Sequence, residues 1–349
     1  MWGYSPMNES RQERLRKALF RGGNLTLAND DYFRTFRTIT EELLRVDRGT
    51  GDVTSAALGA TENHARALII AKEPGVLAGI EEAVWYFTNF GVAAKRSAAD
   101  GQSVEAGQEL LALEGNAEQL LSLERVGLNL LQRMCGIATE TRRLQDKVRH
   151  RRGDAPPNAN VVATRKTPWG LLDKRAAHLG GGGTHRLSLS DAILIKTNHL
   201  RLFDADEARA IPPAVDRAWE QRRGAAFIEV EVTGLPGALA AAKRFQALRK
   251  AGDDSDSYPC LIMLDNRSVE ETSEIIACMR RERVWEDVLV EVSGGMTEES
   301  IESYAECGVD AISVGALTHS CRALNLHCKL ELEAGGKPVG ASHTAAREH

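Results

Sequence analysis

From residue 160 onward, short apolar runs alternate with longer stretches whose apolar residues recur at helical spacing. The runs are NVVATRK (160–166), AILIK (192–196), AAFIEVEV (225–232), PCLIMLDN (259–266), DVLVEVSGG (287–295) and DAISVGAL (310–317). Their length and β-branched content predict strands, and 204–223, 235–251, 269–283 and 298–307 between them read as helices. Strand alternating with helix is the pattern of a parallel sheet. Six units are fewer than a full eightfold barrel needs, so a doubly wound sheet and a smaller closed barrel both fit. Upstream, HARALIIAKEPGVLAG (64–79) reads as strand, turn, strand. Residues 117–149 carry helical spacing, as one long helix or two in tandem, and RRGDAPPNAN (151–160) is a polar, Pro-rich loop. The first 36 residues read as an extension with a short helix around 11–20.

Composition narrows the class. The chain has 349 residues, 43% of them hydrophobic and 27% charged, enough for one large domain and a smaller one. A formal net charge of −5 argues against a general nucleic-acid binder. The six cysteines form no CxxC pair and sit in apolar or helical stretches, as reduced thiols of a cytoplasmic protein do. The N-terminus is polar and charged, and no apolar run approaches the roughly 18 residues of a membrane span, so no membrane association is expected.

Against that acidic background, residues 165–201 hold seven Lys and Arg but only two Asp. Several of these cations sit at strand ends, and every predicted strand closes on polar or glycine residues: Arg165 with Lys166, Lys196, Glu231, Asp265 with Asn266, Ser293-Gly294-Gly295, and Gly315. Parallel α/β architectures bind ligands at the carboxyl ends of their strands. Glu229 and Glu231 lie two apart and share a strand face. Glu229, nearer the middle, suits a structural ion pair as well as a functional role, whereas Glu231 at the top reads as functional. Glycines after the last two strands let backbone N–H groups approach a phosphate. Glu231 and Asp265 suit a ribose hydroxyl or a hydrated divalent metal such as Mg2+, which takes one or two carboxylates and leaves the rest to water and phosphates. No His/Cys cluster has zinc spacing, and His64, His150 and His178 are expected at the surface. The cations Arg125, Arg165, Lys166, Arg186 and Lys196, with His185, call for anionic ligands: a small polyanion meeting a phosphorylated sugar.

The stretches LERVGLNLLQRMCGIAT, TRKT, GGGGTHR, DAILIKTNHL, IEVEV, MLDN and EVSGGMTEESIESYAECGVDAISVGALTHS, with TGDVTS and AKEPGVLAG upstream, resemble the quinolinate phosphoribosyltransferase family, also called nicotinate-nucleotide pyrophosphorylase (carboxylating). The resemblance runs in one order from about residue 39 to 331. It implies an N-terminal α/β sandwich domain (37–127), joined by the C-terminal segment 318–333, whose last helix returns to it. A C-terminal α/β barrel of about six parallel strands (128–317) would be the catalytic domain. It further implies a homodimer with active sites at the subunit interface. The implied reaction converts quinolinate and phosphoribosyl pyrophosphate (PRPP), with Mg2+, to nicotinate mononucleotide, pyrophosphate and CO2 in NAD biosynthesis. Carried over by motif, Arg125 (from the partner subunit), Arg165, His185, Arg186 and Lys196 would surround quinolinate. Lys166 would face the pyrophosphate, and Glu231 and Asp265 would hold the ribose and, directly or through water, the metal. Ser293, Gly294, Gly295, Gly315 and Ala316 would cradle the 5′-phosphate. Lys166, Lys196, Glu231 and Asp265 are thus the catalytic set.

Three features depart from the family pattern. Pro168-Trp169 precede Gly170 where Thr-Pro is usual, Thr197 replaces the acid of the Lys-acid-Asn-His motif, and segments 1–36 and 334–349 have no counterpart there. Those end segments are expected to be disordered or artefacts of expression. The competing readings are a phosphoribosyltransferase for another heteroaromatic acid, a catalytically silent accessory homologue, and a generic sugar-phosphate barrel enzyme.

Overall fold

A computed structural model describes residues 10–58, 63–149, 159–251 and 258–332. They fall into two units: one formed by the described parts of 1–23, 141–168 and 181–320, the other by those of 24–140, 169–180 and 321–349.

The first unit is the barrel. Its parallel strands are Asn160–Ala163, Ile193–Ile195, Ile228–Val232, Cys260–Asp265, Leu289–Ser293 and Ala311–Val314. In sequence rank they are ordered 1-6-5-4-3-2. The two ends of that order are neighbours in sequence, which is the cyclic order of a barrel rather than the split order of a doubly wound sheet. Gly183 lies along the outer edge of the first strand: its N–H donates to the Val161 carbonyl at 2.8 Å and its carbonyl accepts from the Ala163 N–H at 2.9 Å. A Cβ on Gly183 would stand 2.5 Å from Val162 Cγ1, so only glycine fits this approach to the first strand.

Two-residue periodicity sorts the strand residues. Outward side chains such as Ile228, Val230, Ile262 and Val290 pack against the surrounding helices, among them Leu235–Ala251 and Val269–Arg281. The latter starts where predicted because Ser268 and Glu271 form a reciprocal capping box. Inward side chains near the strand starts, Val162, Ala192, Phe227, Leu261, Leu289 and Ala311, form a separate apolar cluster.

That cluster is completed by the Arg11–Leu19 helix: the short helix expected around 11–20 is present, but as part of the barrel core and not in a disordered or artefactual extension. Leu15, Ala18 and Leu19 have no exposed surface and close the N-terminal mouth of the barrel. A capping box between Ser10 and Glu13 starts the helix. Arg11 grips the buried Asp310 with two 2.6 Å hydrogen bonds, and Asp310 also accepts the Val290 N–H at 2.7 Å. Residues 24–36 belong to the second unit, where Asn29 caps the Asp30–Arg48 helix.

The second unit holds a four-stranded antiparallel sheet in the order Leu326–Leu332, His64–Ala71, Glu109–Asn116, Ala93–Arg96, with helices including Asp30–Arg48 and Ile80–Asn89. The returning segment is therefore a strand and not the expected helix. It pairs from Ala65↔Leu332 to Ala71↔Leu326. The alternation of Leu326, Cys328, Leu330 and Leu332 with His327, Lys329 and Glu331 is the two-residue period that explains it. Residues 117–149 form one helix of 33 residues. A helix absent from the sequence-based expectation, Leu171–Leu179, is held by Arg133, which donates to the buried Asp173 at 2.8 and 2.7 Å. His178 on this helix is half-buried rather than at the surface, and burial, with the Arg175 charge, lowers its pKa. His64 is exposed; His150, the loop 151–158 and the tail after 332 lie outside the described residues. Among the described residues no helix is long and apolar enough to cross a membrane.

Glu82, also in this unit, has no exposed surface. Tyr32 donates its hydroxyl to it at 2.5 Å, and the Arg175 guanidinium stands 4.0 Å away. Burial, then the charge of Asp100, raises its pKa from 4.5 to about 7. A carboxyl raised in the folded state favours folding while protonated, so its contribution is complete below 4.5 and is lost as pH rises through about 7. Relative to Glu82→Gln, the wild-type unfolding free energy in denaturant titrations should fall by up to about 3 kcal/mol over that window. Parallel profiles for the two proteins would mean that Glu82 is ionised in the fold at all these pH values.

Candidate active site

Continuing upward by twos from the apolar inner cluster, the inward positions turn polar. The next ones are Thr164, Leu194, Glu229, Met263, Glu291 and Ser313, and above them Lys166, Lys196, Glu231, Asp265, Ser293 and Gly315. All of these upper positions but Gly315 line a cavity of about 310 Å3 at the carboxyl ends of the strands. It is lined by Arg165, Lys166, His185, Arg186, Lys196, Glu231, Asp265 and Ser293 of the predicted set. Thr164, Leu194, Met263 and Ser313 complete the lining and were not predicted. Gly294, Gly295, Gly315 and Ala316 follow directly on strand ends that reach it. Arg125 is exposed on its helix and belongs to the other unit.

Beneath the cavity lie three buried ionisable groups. His185 Nε2 faces Glu229 Oε2 at 2.9 Å and Glu291 Oε2 at 3.3 Å, and Ser313 donates its hydroxyl to Glu291 Oε1 at 2.5 Å. Neither glutamate has exposed surface. Burial disfavours a charged imidazole, but the Glu291 and Glu229 carboxylates outweigh it and pull the ring's proton affinity upward. Nδ1 accepts the Arg186 backbone N–H at 2.7 Å, which leaves the Nε2 edge turned to the carboxylates. The Nε2 proton faces the carboxylates, and burial with the Glu291 charge raises Glu229 to about 7 against the opposing pull of His185. Among the described residues this is a trio whose donor atoms, all within 4.8 Å, could hold a metal ion. A metal on Nε2 would require the proton on Nδ1, where the Arg186 N–H already sits, so the trio is a proton-bearing cluster and not a metal centre. Glu291 was not foreseen, although in VLVEVSGG it stands two positions before Ser293, as Glu229 stands before Glu231.

Higher up, Lys196 Nζ donates to Glu231 Oε2 at 2.9 Å. The other oxygen, Oε1, faces the Thr197 backbone N–H at 3.4 Å and its hydroxyl at 3.3 Å. Thr197 thus supplies a donor to Glu231 where the family motif has an acid. On the neighbouring strand, Asp265 accepts from the Asn266 side chain at 2.9 Å. Asn266 is left-handed, with φ 52°, and its N–H donates to the Ser293 carbonyl at 2.8 Å. A Cβ on Gly294 would meet Asn266 Oδ1 at 2.3 Å, so the Ser293-Gly294-Gly295 turn packs tightly on the Asp265 loop. Glu231 and Asp265 are hard oxygen donors on adjacent strands, in reach of one cavity. That donor set fits Mg2+ shared with a phosphorylated ligand. Across the site, Lys166 is held through its carbonyl, which accepts the Thr318 hydroxyl at 2.8 Å. Burial and the Arg165 charge lower the pKa of Arg186, the mark of crowded cations that an anion would relieve.

A parallel α/β barrel with cationic loops around paired carboxylates defines a barrel enzyme built for anionic substrates. The sequence profile of the quinolinate phosphoribosyl transferase N-terminal domain matches residues 52–135, and that of the C-terminal domain residues 137–329. A probable nicotinate-nucleotide pyrophosphorylase (carboxylating) of Methanothermobacter thermautotrophicus is 34% identical over 294 residues, covering 84% of this chain and 98% of the relative. The nicotinate-nucleotide pyrophosphorylase (carboxylating) of Mycobacterium leprae is 35% identical over 309 residues, covering 86% and 99%. The solved nicotinate-nucleotide pyrophosphorylase of Francisella tularensis superposes with a TM-score of 0.69 at 30% identity, over 85% of this chain and 96% of that one. The chain belongs to the quinolinate phosphoribosyltransferase family.

His185→Ala should lower the unfolding free energy by about 2–5 kcal/mol, because two buried carboxyl groups lose their facing N–H donor. Adding Glu229→Gln should recover part of the loss. Additive losses in denaturant titrations would show that the cluster is not coupled.

Proposed function

We propose that the barrel cavity transfers the phosphoribosyl group of PRPP to the ring nitrogen of quinolinate. Pyrophosphate and CO2 are released, leaving nicotinate mononucleotide for NAD biosynthesis. The observation that carries this reading is the meeting, in one cavity, of Arg165, Lys166, Arg186 and Lys196 with Glu231 and Asp265. Quinolinate has two carboxylates and PRPP is a polyanion, so both need cations, while the reacting ribose becomes positive and needs carboxylates.

In this reading Arg165, Arg186 and Lys196 hold the quinolinate carboxylates, Arg through paired donors. His185 forms the floor: both ring nitrogens face protein groups, so it acts by fixing Arg186. Lys166 meets the pyrophosphate, and the Ser293–Gly295 turn with Gly315 and Ala316 offers backbone donors to the 5′-phosphate. Magnesium, carried by Glu231 and Asp265, would supply positive charge to the departing pyrophosphate. Glu231 and Asp265 also face the positive sugar as its bond to pyrophosphate breaks. Once the ring nitrogen is bonded to ribose, the pyridinium draws the electron pair of the adjacent C–CO2 bond; CO2 departs and the carbon takes a proton. No covalent nucleophile is required.

The reading includes a homodimer in which Arg125 reaches the partner's cavity, supported by the exposed position of Arg125 in the unit that does not contain the barrel. It also includes a cytoplasmic setting, supported by six free cysteines, three of them buried.

With PRPP and Mg2+, the purified protein should form nicotinate mononucleotide and CO2 from quinolinate but nothing from nicotinate. Product from nicotinate would move the chain to a sister activity, and silence with both would favour an accessory homologue. Arg165→Ala should cut turnover at least about 100-fold, the scale of losing one preorganised charged donor; near-normal turnover would remove Arg165 from the site. Mixed dimers of Arg125→Ala and Glu231→Ala subunits should regain activity if sites are shared, and verified mixed dimers without recovery would confine Arg125 to its own subunit.

A further inference from the structure

The backbone that carries His185 and Arg186 is held in an uncommon conformation. His185 has φ 52°, a left-handed value that is strained for a non-glycine residue and persists only where the surroundings over-determine it. That turn aims the imidazole at Glu229 and Glu291 while the next N–H, that of Arg186, reaches back to Nδ1.

What over-determines it comes from the other end of the chain. The Leu19 carbonyl accepts the Thr184 N–H at 2.7 Å and the His185 N–H at 3.1 Å, with the Thr184 hydroxyl at 3.1 Å. Leu19 ends the Arg11–Leu19 helix, so its carbonyl is one of the final four that have no partner within the helix and attract donors. Two residues on, the Arg21 N–H donates to the Thr184 hydroxyl at 3.2 Å, and the Arg21 guanidinium meets Asp191 at 3.0 Å. Asp191 in turn accepts the Leu187 N–H at 2.8 Å. The dipeptide His185-Arg186 is thus fastened on both sides, at Thr184 and at Leu187, by residues 19–21. The anchor is firm, because Arg11 is locked to Asp310 and Leu15, Ala18 and Leu19 fill the barrel mouth.

We infer that the Leu19–Arg21 segment is a positioning element of the acceptor pocket, setting the place of Arg186 through the Thr184-His185 backbone and through Asp191. The inference rests on the assignment of Arg186 to quinolinate made above. It predicts that weakening the clamp harms the acceptor side and spares the PRPP side, whose residues Asp265 and Ser293 sit on other strands.

The test uses the full-length enzyme and the variants Thr184→Val, Thr184→Ser, Arg21→Ala and Arg21→Lys, with Arg186→Ala as reference. Thr184→Val and Arg21→Ala should raise KM for quinolinate about tenfold, the scale of one hydrogen bond to a strained loop, with KM for PRPP within about twofold. Thr184→Ser and Arg21→Lys should recover most of the loss. Amide hydrogen exchange at 181–187 should quicken in the two damaged variants only. Should Thr184→Val fail to fold, Arg21→Ala, whose side chain is 33% exposed, carries the test alone. If Arg186→Ala raises KM for quinolinate and the clamp variants do not, the inference is overturned while the site assignment stands. If Arg186→Ala itself leaves KM unchanged, the site assignment has failed; exchange then decides whether the clamp holds the loop, and unchanged exchange overturns that as well.

Discussion

Two glutamates with no exposed surface lie inside the barrel, and much of the catalytic end is arranged around that fact. An isolated carboxylate in an apolar interior costs several kcal/mol, so Glu229 and Glu291 must be met by protons or donors. His185 brings the Nε2 proton, Ser313 brings a hydroxyl, and Glu229 itself moves toward the protonated form. For an imidazole to reach those carboxyl groups, the chain first runs along the edge of the first strand, where Gly183 bonds to Val161 and Ala163. It must then turn left-handed at residue 185. Arg186 emerges from that turn at the cavity wall. The position of a substrate-facing guanidinium therefore follows from neutralising acids one layer below it.

The cavity above follows the same electrostatic logic with the signs balanced. Lys196 is tied to Glu231, and the Thr197 donors hold the opposite oxygen, so Glu231 is presented in one orientation. Arg165 and Arg186 crowd each other. An anionic acceptor relieves that repulsion, while the carboxylates of Glu231 and Asp265 remain for a positively charged sugar. Apart from the Lys196–Glu231 pair, the charges are set on separate strands and loops, so each sign remains available to the substrate group it suits.

The opposite mouth of the barrel is apolar. Its inner side chains leave an uncovered floor that the Arg11–Leu19 helix fills, and the helix end then becomes available to the Thr184-His185 backbone. A segment that looks dispensable along the chain is in this way part of the barrel's core. The second unit shows the same economy, since its sheet takes an edge strand from residues 326–332.

The two-residue period of six runs, their glycine-rich or charged ends and the helices between them were legible from local sequence, because side-chain alternation and strand-end polarity are properties of neighbours in the chain. From them came a parallel sheet with a ligand site at its strand ends, the cations there and the carboxylates Glu231 and Asp265; the closed barrel was chosen only by the family resemblance. Glu229 stayed open between two roles, and Glu291 and Ser313 passed as ordinary strand residues, since a buried charge is recognised only by what faces it. The returning strand was mistaken for a helix despite its alternation, because a seven-residue segment declares its partner only when His64–Ala71 offers an unpaired edge. Thr197 gained meaning from Glu231, 34 positions away, and Leu19 from Thr184, 165 positions away. Periodicity carries no information across such distances; only strand pairing and the packing of the N-terminal helix into the barrel bring these atoms within hydrogen-bonding range.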